Sequence, residues 1–358
     1  MRLFFDGRFI NPSKPDGISS FSIGLIRELD KKSDLTVLID SDAQSALIPG
    51  LKTRKVNKPT SIKEVFLALK LRKQNIDVLV SPMQTTSALG RNFKLVLTLH
   101  DLIYYRHRTP PSDFAWPIRL GWWIFHLSYF PQRLLLNNSD LVLTVSETTK
   151  NQMISKRLTK RPIQVIHNAS DEPSDILRTN GSESKDLIYM GSFIGYKDVE
   201  FLIKALGSLK DHRLVLLSRI TPSRRAELES LAREYGSDVL FVGGVTDSEY
   251  TLWLSKAKAL VSASKDEGFG IPVVEAMRHG TPVILNDLEI FREVAGSAGL
   301  YFESGNTSSF ASMVAQLSDT HTWSEYSDRA RLQAKDFSWE QSAAKLLDLC
   351  KGLGSPTL

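Results

Sequence analysis

Apolar residues in this chain come in short unbroken runs rather than in alternation. After a first run near the N-terminus, at Arg2–Asp6, they fill residues 35–40, 77–82, 94–101, 140–146 and 163–168. In the second half they fill 186–192, 213–219, 238–244, 259–264, 282–287 and 299–303. Continuous runs of this length are the pattern of parallel strands buried on both faces. Helix-length stretches separate them, so the pattern predicts right-handed βαβ units in two doubly wound sheets. Between the two sets, residues 169–185 are polar and rich in Ser, Asp and Gly, which predicts a linker. The expected organisation is therefore a domain over 1–168, a linker over 169–185, a domain over 186–337 and a last helix over 338–358. Ser338 and Gln341 have the spacing of a capping box for that helix. Ala343, Ala344, Leu346, Leu347 and Leu349 give it an apolar face.

Composition narrows the class. A chain of 358 residues suits two domains. With 42% hydrophobic and 24% charged residues, it has the balance of a globular protein rather than a disordered one. Cys350 is the one cysteine, so no disulfide can form within the chain. The opening MRLFFDGRFINPS carries too short an apolar run for a signal peptide, and no run of about 18 apolar residues predicts a membrane span. A cytoplasmic location is the expectation. The net charge of +5 is unevenly spread: residues 1–170 hold 25 basic and 13 acidic side chains, the remainder 20 and 27. That asymmetry predicts an anionic partner for the first half, or else a solvated basic surface.

Chemistry concentrates at Lys265-Asp266-Glu267-Gly268-Phe269-Gly270-Ile271-Pro272-Val273-Val274-Glu275-Ala276. An apolar strand precedes it, and Pro272 suits the first turn of a helix, where a missing N–H costs nothing. Glu267 then sits in a strand-to-helix loop and Glu275 about one turn into the helix. The helix start offers free N–H groups and a positive dipole end to an anion. The two carboxylates can address opposite ends of one ligand. This segment resembles the E-x7-E signature of family 4 retaining glycosyltransferases, which have the GT-B fold: two Rossmann-like domains facing each other across a cleft. The resemblance continues through Met277-Arg278-His279-Gly280-Thr281-Pro282-Val283-Ile284 and resumes at Glu293-Val294-Ala295-Gly296.

The resemblance implies a nucleotide diphosphate sugar as donor, with GDP-mannose the first guess, and a glycan or lipid-linked acceptor. It implies retention of anomeric configuration and no metal or other cofactor. By the same resemblance Glu267 lies near the sugar, Glu275 binds the ribose hydroxyls, and backbone N–H groups of Phe269, Gly270 and Ile271 hold sugar hydroxyls. His100, ending the strand Thr98-Leu99-His100-Asp101, falls where the family places a histidine at the sugar end. Gly17 and Ile18 match a phosphate-contacting glycine loop, from which Asp16, Ser19 and Ser20 depart. Lys197 matches a diphosphate-gripping lysine, but Ser192 stands where the family has its arginine. Arg219, ending the next strand, is a candidate to replace that charge. Val245, in Val242-Gly243-Gly244-Val245-Thr246, matches the wall of the base pocket. A Phe-Ser-Trp start like that at Phe337-Ser338-Trp339 marks the family's last helix, which crosses back onto the first domain.

Other features compete for attention. Asp40-Ser41-Asp42 has the form of the metal-binding triplet of GT-A enzymes, but the two-domain pattern argues for an ordinary loop. Residues 61–73 place Ile62, Val65, Phe66 and Leu69 at helical spacing among lysines and arginines. Such a helix either lies on an anionic membrane or packs its stripe on the sheet. An aromatic cluster runs from Phe114-Ala115-Trp116 to Trp122-Trp123-Ile124-Phe125, as core, acceptor wall or membrane edge. Peripheral association with the inner face of the membrane is thus an expectation. No nucleic-acid-binding module is recognisable. Two rival readings follow from the Ser192 departure and the architecture: an inactive binding subunit, and a nucleotide-sugar epimerase.

Overall fold

The computed structural model describes residues 1–13, 16–110, 116–171 and 179–354. The chain divides into two compact units, one of Met1–Ala169 with Ser338–Leu358, the other of Ser170–Phe337.

The first unit is built on a parallel sheet of β1 (Arg2–Asp6), β2 (Asp34–Ile39), β3 (Thr53–Lys55), β4 (Val78–Ser81), β5 (Lys94–Thr98), β6 (Leu141–Thr144) and β7 (Ile163–Val165). The order is β3-β2-β1-β4-β5-β6-β7. β1 pairs with β2 on one side, Phe4 opposite Thr36, and with β4 on the other, Phe4 opposite Leu79. β4, β5 and β6 are buried along their length apart from Lys94, as continuous apolar runs require. β3 has no counterpart among the expected strands. Its sequence is Thr-Arg-Lys and it lies exposed at the sheet edge, where no apolar pattern is needed.

The last helix, Trp339–Gly354, belongs to this first unit. It packs on the helix Gly17–Asp30, with the Phe21 and Trp339 rings 6.4 Å apart and edge-on. Gly24 is what lets them close: a Cβ there would stand 2.3 Å from the Trp339 ring. Ser342 donates to the carbonyl of His167 at 2.8 Å.

The segment 61–73 is not one continuous amphipathic helix. Two 3-10 turns, Ile62–Phe66 and Arg72–Gln74, flank a single turn of α-helix, Leu67–Leu71. Leu67, Ala68 and Leu71 face the sheet, while Ile62 is 87% exposed and Val65 and Phe66 about half.

The second unit holds a parallel sheet of β8 (Asp186–Tyr189), β9 (Arg213–Leu216), β10 (Val239–Phe241), β11 (Ala259–Ser262), β12 (Val283–Asn286) and β13 (Gly299–Phe302). Its order is β10-β9-β8-β11-β12-β13. This is the 3-2-1-4-5-6 doubly wound order, with its switch point between β8 and β11. Of the stretch expected as a linker, residues 172–178 lie outside the described residues. The part beyond them is not a free tether. Gly181 and Ser182 are buried, and Thr179 donates to the carbonyl of Ser255 at 3.2 Å. Lys258, itself buried, donates to the carbonyl of Ser182. Arg278 binds the two ends of the unit, Ser170 through its Oγ at 2.9 Å and Phe337 through its carbonyl at 2.6 Å.

Candidate functional site

Ligands of open α/β sheets bind outside the carboxyl ends of strands at a switch point. In the second unit that place is bounded by the loops after β8 and β11. They are fastened together: Lys265 N donates to the carbonyl of Tyr196 at 2.7 Å, and the Lys265 ammonium pairs with Asp198 at 2.8 Å. Asp198 adopts a left-handed conformation, φ 48°, which turns the chain from the loop into the helix Val199–Leu206. The two loops bring Lys197 and Glu267 into an ion pair, both side chains largely buried.

After Glu267 the chain bends at Gly270, φ +93°, which caps the helix Ile271–Arg278, with Pro272 in its first turn. A Cβ on Gly270 would press on the Phe291 ring at 3.1 Å, so close packing as well as backbone freedom favours glycine. Phe269 buries its ring edge-on to Phe337, 5.5 Å between centroids, which anchors the loop. The first-turn N–H groups at Ile271 have no acceptor within the helix.

Glu275 follows on the helix. Burial pushes its carboxyl up to about 7, against the pull of the Tyr250 hydroxyl. Tyr250 comes from the helix Asp247–Lys256, and its own hydroxyl is raised by burial and by the facing Glu275. The contact falls outside regular hydrogen-bond geometry, so the buried hydroxyl has no conventional partner. Sequence reasoning missed Tyr250; nothing in its surroundings along the chain marks it.

Ser192 is exposed, and its carbonyl accepts from the Tyr189 hydroxyl at 2.6 Å. Arg219 is exposed after β9, and its stem lies over the turn that follows β10: a Cβ on Gly244, φ +115°, would stand 2.7 Å from Arg219 Cγ. Val245, half-buried, follows in that turn. Ser192, Lys197, Arg219, Val245, Glu267 and the residues 269–271 thus share the carboxyl edge of one sheet.

In the first unit, Gly17 is not in a loop. Asp16 caps the helix Gly17–Asp30 by accepting from Ser19 N at 2.8 Å, and Gly17 and Ile18 form its first turn. Ser19 Oγ also donates to Asp16, which explains the departures at 16 and 19: they make a capped helix start where a glycine loop was expected. His100 follows β5, with its Nε2 donating to the carbonyl of Pro82 at 2.9 Å and its ring edge-on to Phe21 at 5.0 Å. Burial pulls its pKa down to about 4, so it is neutral at neutral pH, with Nδ1 left as an acceptor.

Asp40-Ser41-Asp42 begins a short helix, Asp42–Leu47. Ser41 is its cap and Asp42 pairs with Lys55 at 2.9 Å. A second feature missed from sequence is a buried network at the end of β1. Asp6 accepts from Arg8 at 2.7 Å and from Thr86 at 2.8 Å, and Arg8 also pairs with Glu64 at 2.5 Å.

Two family models match the chain: Glycosyltransferase Family 4 over residues 16–172 and Glycosyl transferases group 1 over residues 184–320. The O-antigen chain mannosyltransferase RfbU of Salmonella typhimurium is 30% identical over 63% of this chain and 65% of the relative. O-antigen chain mannosyltransferase B of Escherichia coli is 25% identical over 60% of this chain and 61% of the relative. The chain therefore spans less than two thirds of the length of these curated relatives. Among solved structures, sucrose-phosphate synthase from Thermosynechococcus elongatus superposes with a TM-score of 0.74 at 16% identity, over 99% of both chains. The Anabaena protein HepE, in complex with UDP and glucose, gives 0.74 at 17%, over 98% of this chain and 99% of that one. Such likenesses show the fold. With a glycosyltransferase family model on each half and this fold over nearly the whole length, the chain is built of two glycosyltransferase family domains in the GT-B fold.

Proposed function

We propose that this protein transfers a hexose, with mannose the first candidate, from a nucleotide diphosphate sugar to a glycan or lipid-linked acceptor with retention of configuration. The observation that carries this reading is the ion pair of Lys197 with Glu267 at the β8–β11 switch point, with Glu275 one turn along the adjoining helix. A diphosphate entering there competes with Glu267 for the Lys197 ammonium. Lys197, the helix start at Ile271 and Arg219 then hold the charge of the leaving diphosphate, without a metal. Glu267, released, positions the sugar or stabilises positive charge at its anomeric carbon. Backbone N–H groups at Phe269, Gly270 and Ile271 take sugar hydroxyls. Glu275 takes the ribose and Val245 the base. Within the first unit, Gly17 and Ile18 are assigned to phosphate contact and His100 to sugar contact, as the family resemblance implies.

Mannose is favoured by the likeness to O-antigen chain mannosyltransferases; solved neighbours hold UDP and UDP-glucose, so the thermal-shift donors differ in base. A thermal-shift series with GDP-mannose, UDP-glucose and UDP-galactose reads it directly, since a ligand that binds only the folded state raises the unfolding midpoint. NMR of the product then reads the anomer. A product of inverted configuration would sink the retaining mechanism. The exposed Ser192 favours one other reading, an inactive binding module; turnover of the donor, by transfer or hydrolysis, separates the two.

A further inference from the structure

We propose that the helix Trp116–Phe125, with the start of the helix Phe130–Asn137, forms a face that docks on an anionic lipid bilayer. The helix reads WPIRLGWWIF, apolar at eight of ten positions and round its whole circumference. Such a helix belongs in a protein core or in lipid. Here none of its residues is buried. Trp116 is 73% exposed, Ile124 55% and, beyond it, Phe130 63%. Trp122 faces the other way: its ring is edge-on to Tyr104 at 5.0 Å and tilted against His126 at 4.0 Å. That contact ties the helix to the first unit and leaves Trp116, Ile118 and Trp123 outward.

Length and charge decide the occupant. Ten residues reach about 15 Å, half of the roughly 30 Å hydrocarbon core, so the helix lies along the surface rather than crossing it. Tryptophan is enriched at that depth. Residues 102–137 carry four arginines and a single acid, Asp113. Arg108 and Arg119 are exposed, and their long stems can rest on the apolar face while the guanidiniums reach lipid phosphates. A second copy of the chain would set arginine against arginine across a two-fold interface, which disfavours self-association.

The test is sedimentation of the full chain with vesicles of phosphatidylglycerol or phosphatidylcholine, read without donor or acceptor. Its failure is therefore distinct from failure of the transfer reading. Binding to the anionic vesicles only, weakened by salt, is expected. The Trp116→Ser/Ile118→Ser/Trp123→Ser variant and the Arg108→Glu/Arg119→Glu variant should each partition at least tenfold less. Their unfolding midpoints should match the parent's, because every substituted side chain is exposed. Ile62→Ser/Phe66→Ser, in the other exposed apolar stretch, should bind as the parent does. Failure of the parent to bind, equal binding to both lipids, or undiminished binding by the triple-serine variant would each overturn the proposal. So would a dimer in ultracentrifugation that the triple-serine variant abolishes, since the face would then belong to a second copy.

Discussion

The Lys197 ammonium and the Glu267 carboxylate, seventy residues apart in sequence, neutralise one another at the junction of two strand-end loops. Each is thereby held in a poorly hydrated place that neither could occupy alone. The pair gives the donor-free protein a closed circuit of charge that an incoming diphosphate must open.

Breaking it from either side should have opposite effects on binding. Glu267→Gln frees Lys197, so donor affinity is expected to hold or rise while turnover falls at least 100-fold. Lys197→Ala removes a charge-assisted contact of about 1.5–3 kcal/mol, and the donor KM should rise between about ten- and a hundredfold. Steady-state kinetics with a thermal-shift titration measures both. Unchanged turnover in Glu267→Gln would remove it from the mechanism.

The Glu275 carboxyl supplies a pH dependence. Its folded-state value, about 7, lies above the ordinary 4.5. Between these values the folded protein keeps a proton that the unfolded chain has lost. The stabilising contribution is complete below 4.5 and lost as pH rises through 7. The unfolding midpoint of the donor-free protein should carry this fall, and Glu275→Gln should lack it. Ribose hydroxyls are better accepted by the carboxylate, so donor KM is expected to drop over the same window. Tyr250→Phe removes a group that favours ionisation and should move that drop to higher pH. A donor KM that stays flat from pH 6 to 8 would count against Glu275 as a donor ligand.

Arg219 should behave as the replacement cation. Arg219→Ala is expected to raise donor KM several-fold with little change in turnover. Gly244→Ala should do part of the same, because its Cβ would displace the Arg219 stem. Chelation with EDTA should leave the rate unchanged. Activity abolished by EDTA and restored by Mn²⁺ would mean that protein cations do not suffice.

Gly24→Ala tests the docking of the last helix. Alanine is favoured over glycine within a helix by about 1 kcal/mol. Against that, its Cβ would stand 2.3 Å from a rigid indole. The steric effect should win, destabilising by about 1–3 kcal/mol, with a red shift of Trp339 emission.

The strands were legible because parallel strands buried on both faces must be apolar throughout; Leu260, Val261, Ile284 and Leu285 could hardly be elsewhere. β3 was not, since Thr53-Arg54-Lys55 at a sheet edge obeys no such constraint. The stretch 61–73 misled for a related reason. Ile62, Val65, Phe66 and Leu69 have helical spacing, but Leu67, Ala68 and Leu71 are the residues that bury, and a pattern cannot say which stripe has a partner. Glu267 and Glu275 stood out because a short motif brackets them. The pairing of Lys197 with Glu267, the approach of Tyr250 to Glu275 and the Asp6–Arg8–Glu64 network join distant positions that only the fold brings together. Of the aromatic cluster, Phe114 and Ala115 lie outside the described residues; Trp122 is held against the first unit and Trp123 is exposed, a difference of orientation invisible in the letters WW.

Arg278 gathers Ser170 and Phe337, the points where the chain enters and leaves the second unit. During synthesis this means that the later-made unit is finished first. Every residue of that unit has been made by Phe337, before the helix Trp339–Gly354, while the earlier-made unit must wait with Phe21 and Gly24 uncovered until that helix arrives. A chaperone that holds nascent chains would meet its target on the first unit, on the face of Gly17–Asp30. A chain cut short between Phe337 and the last helix would hold every residue of one unit and leave the other without its final piece.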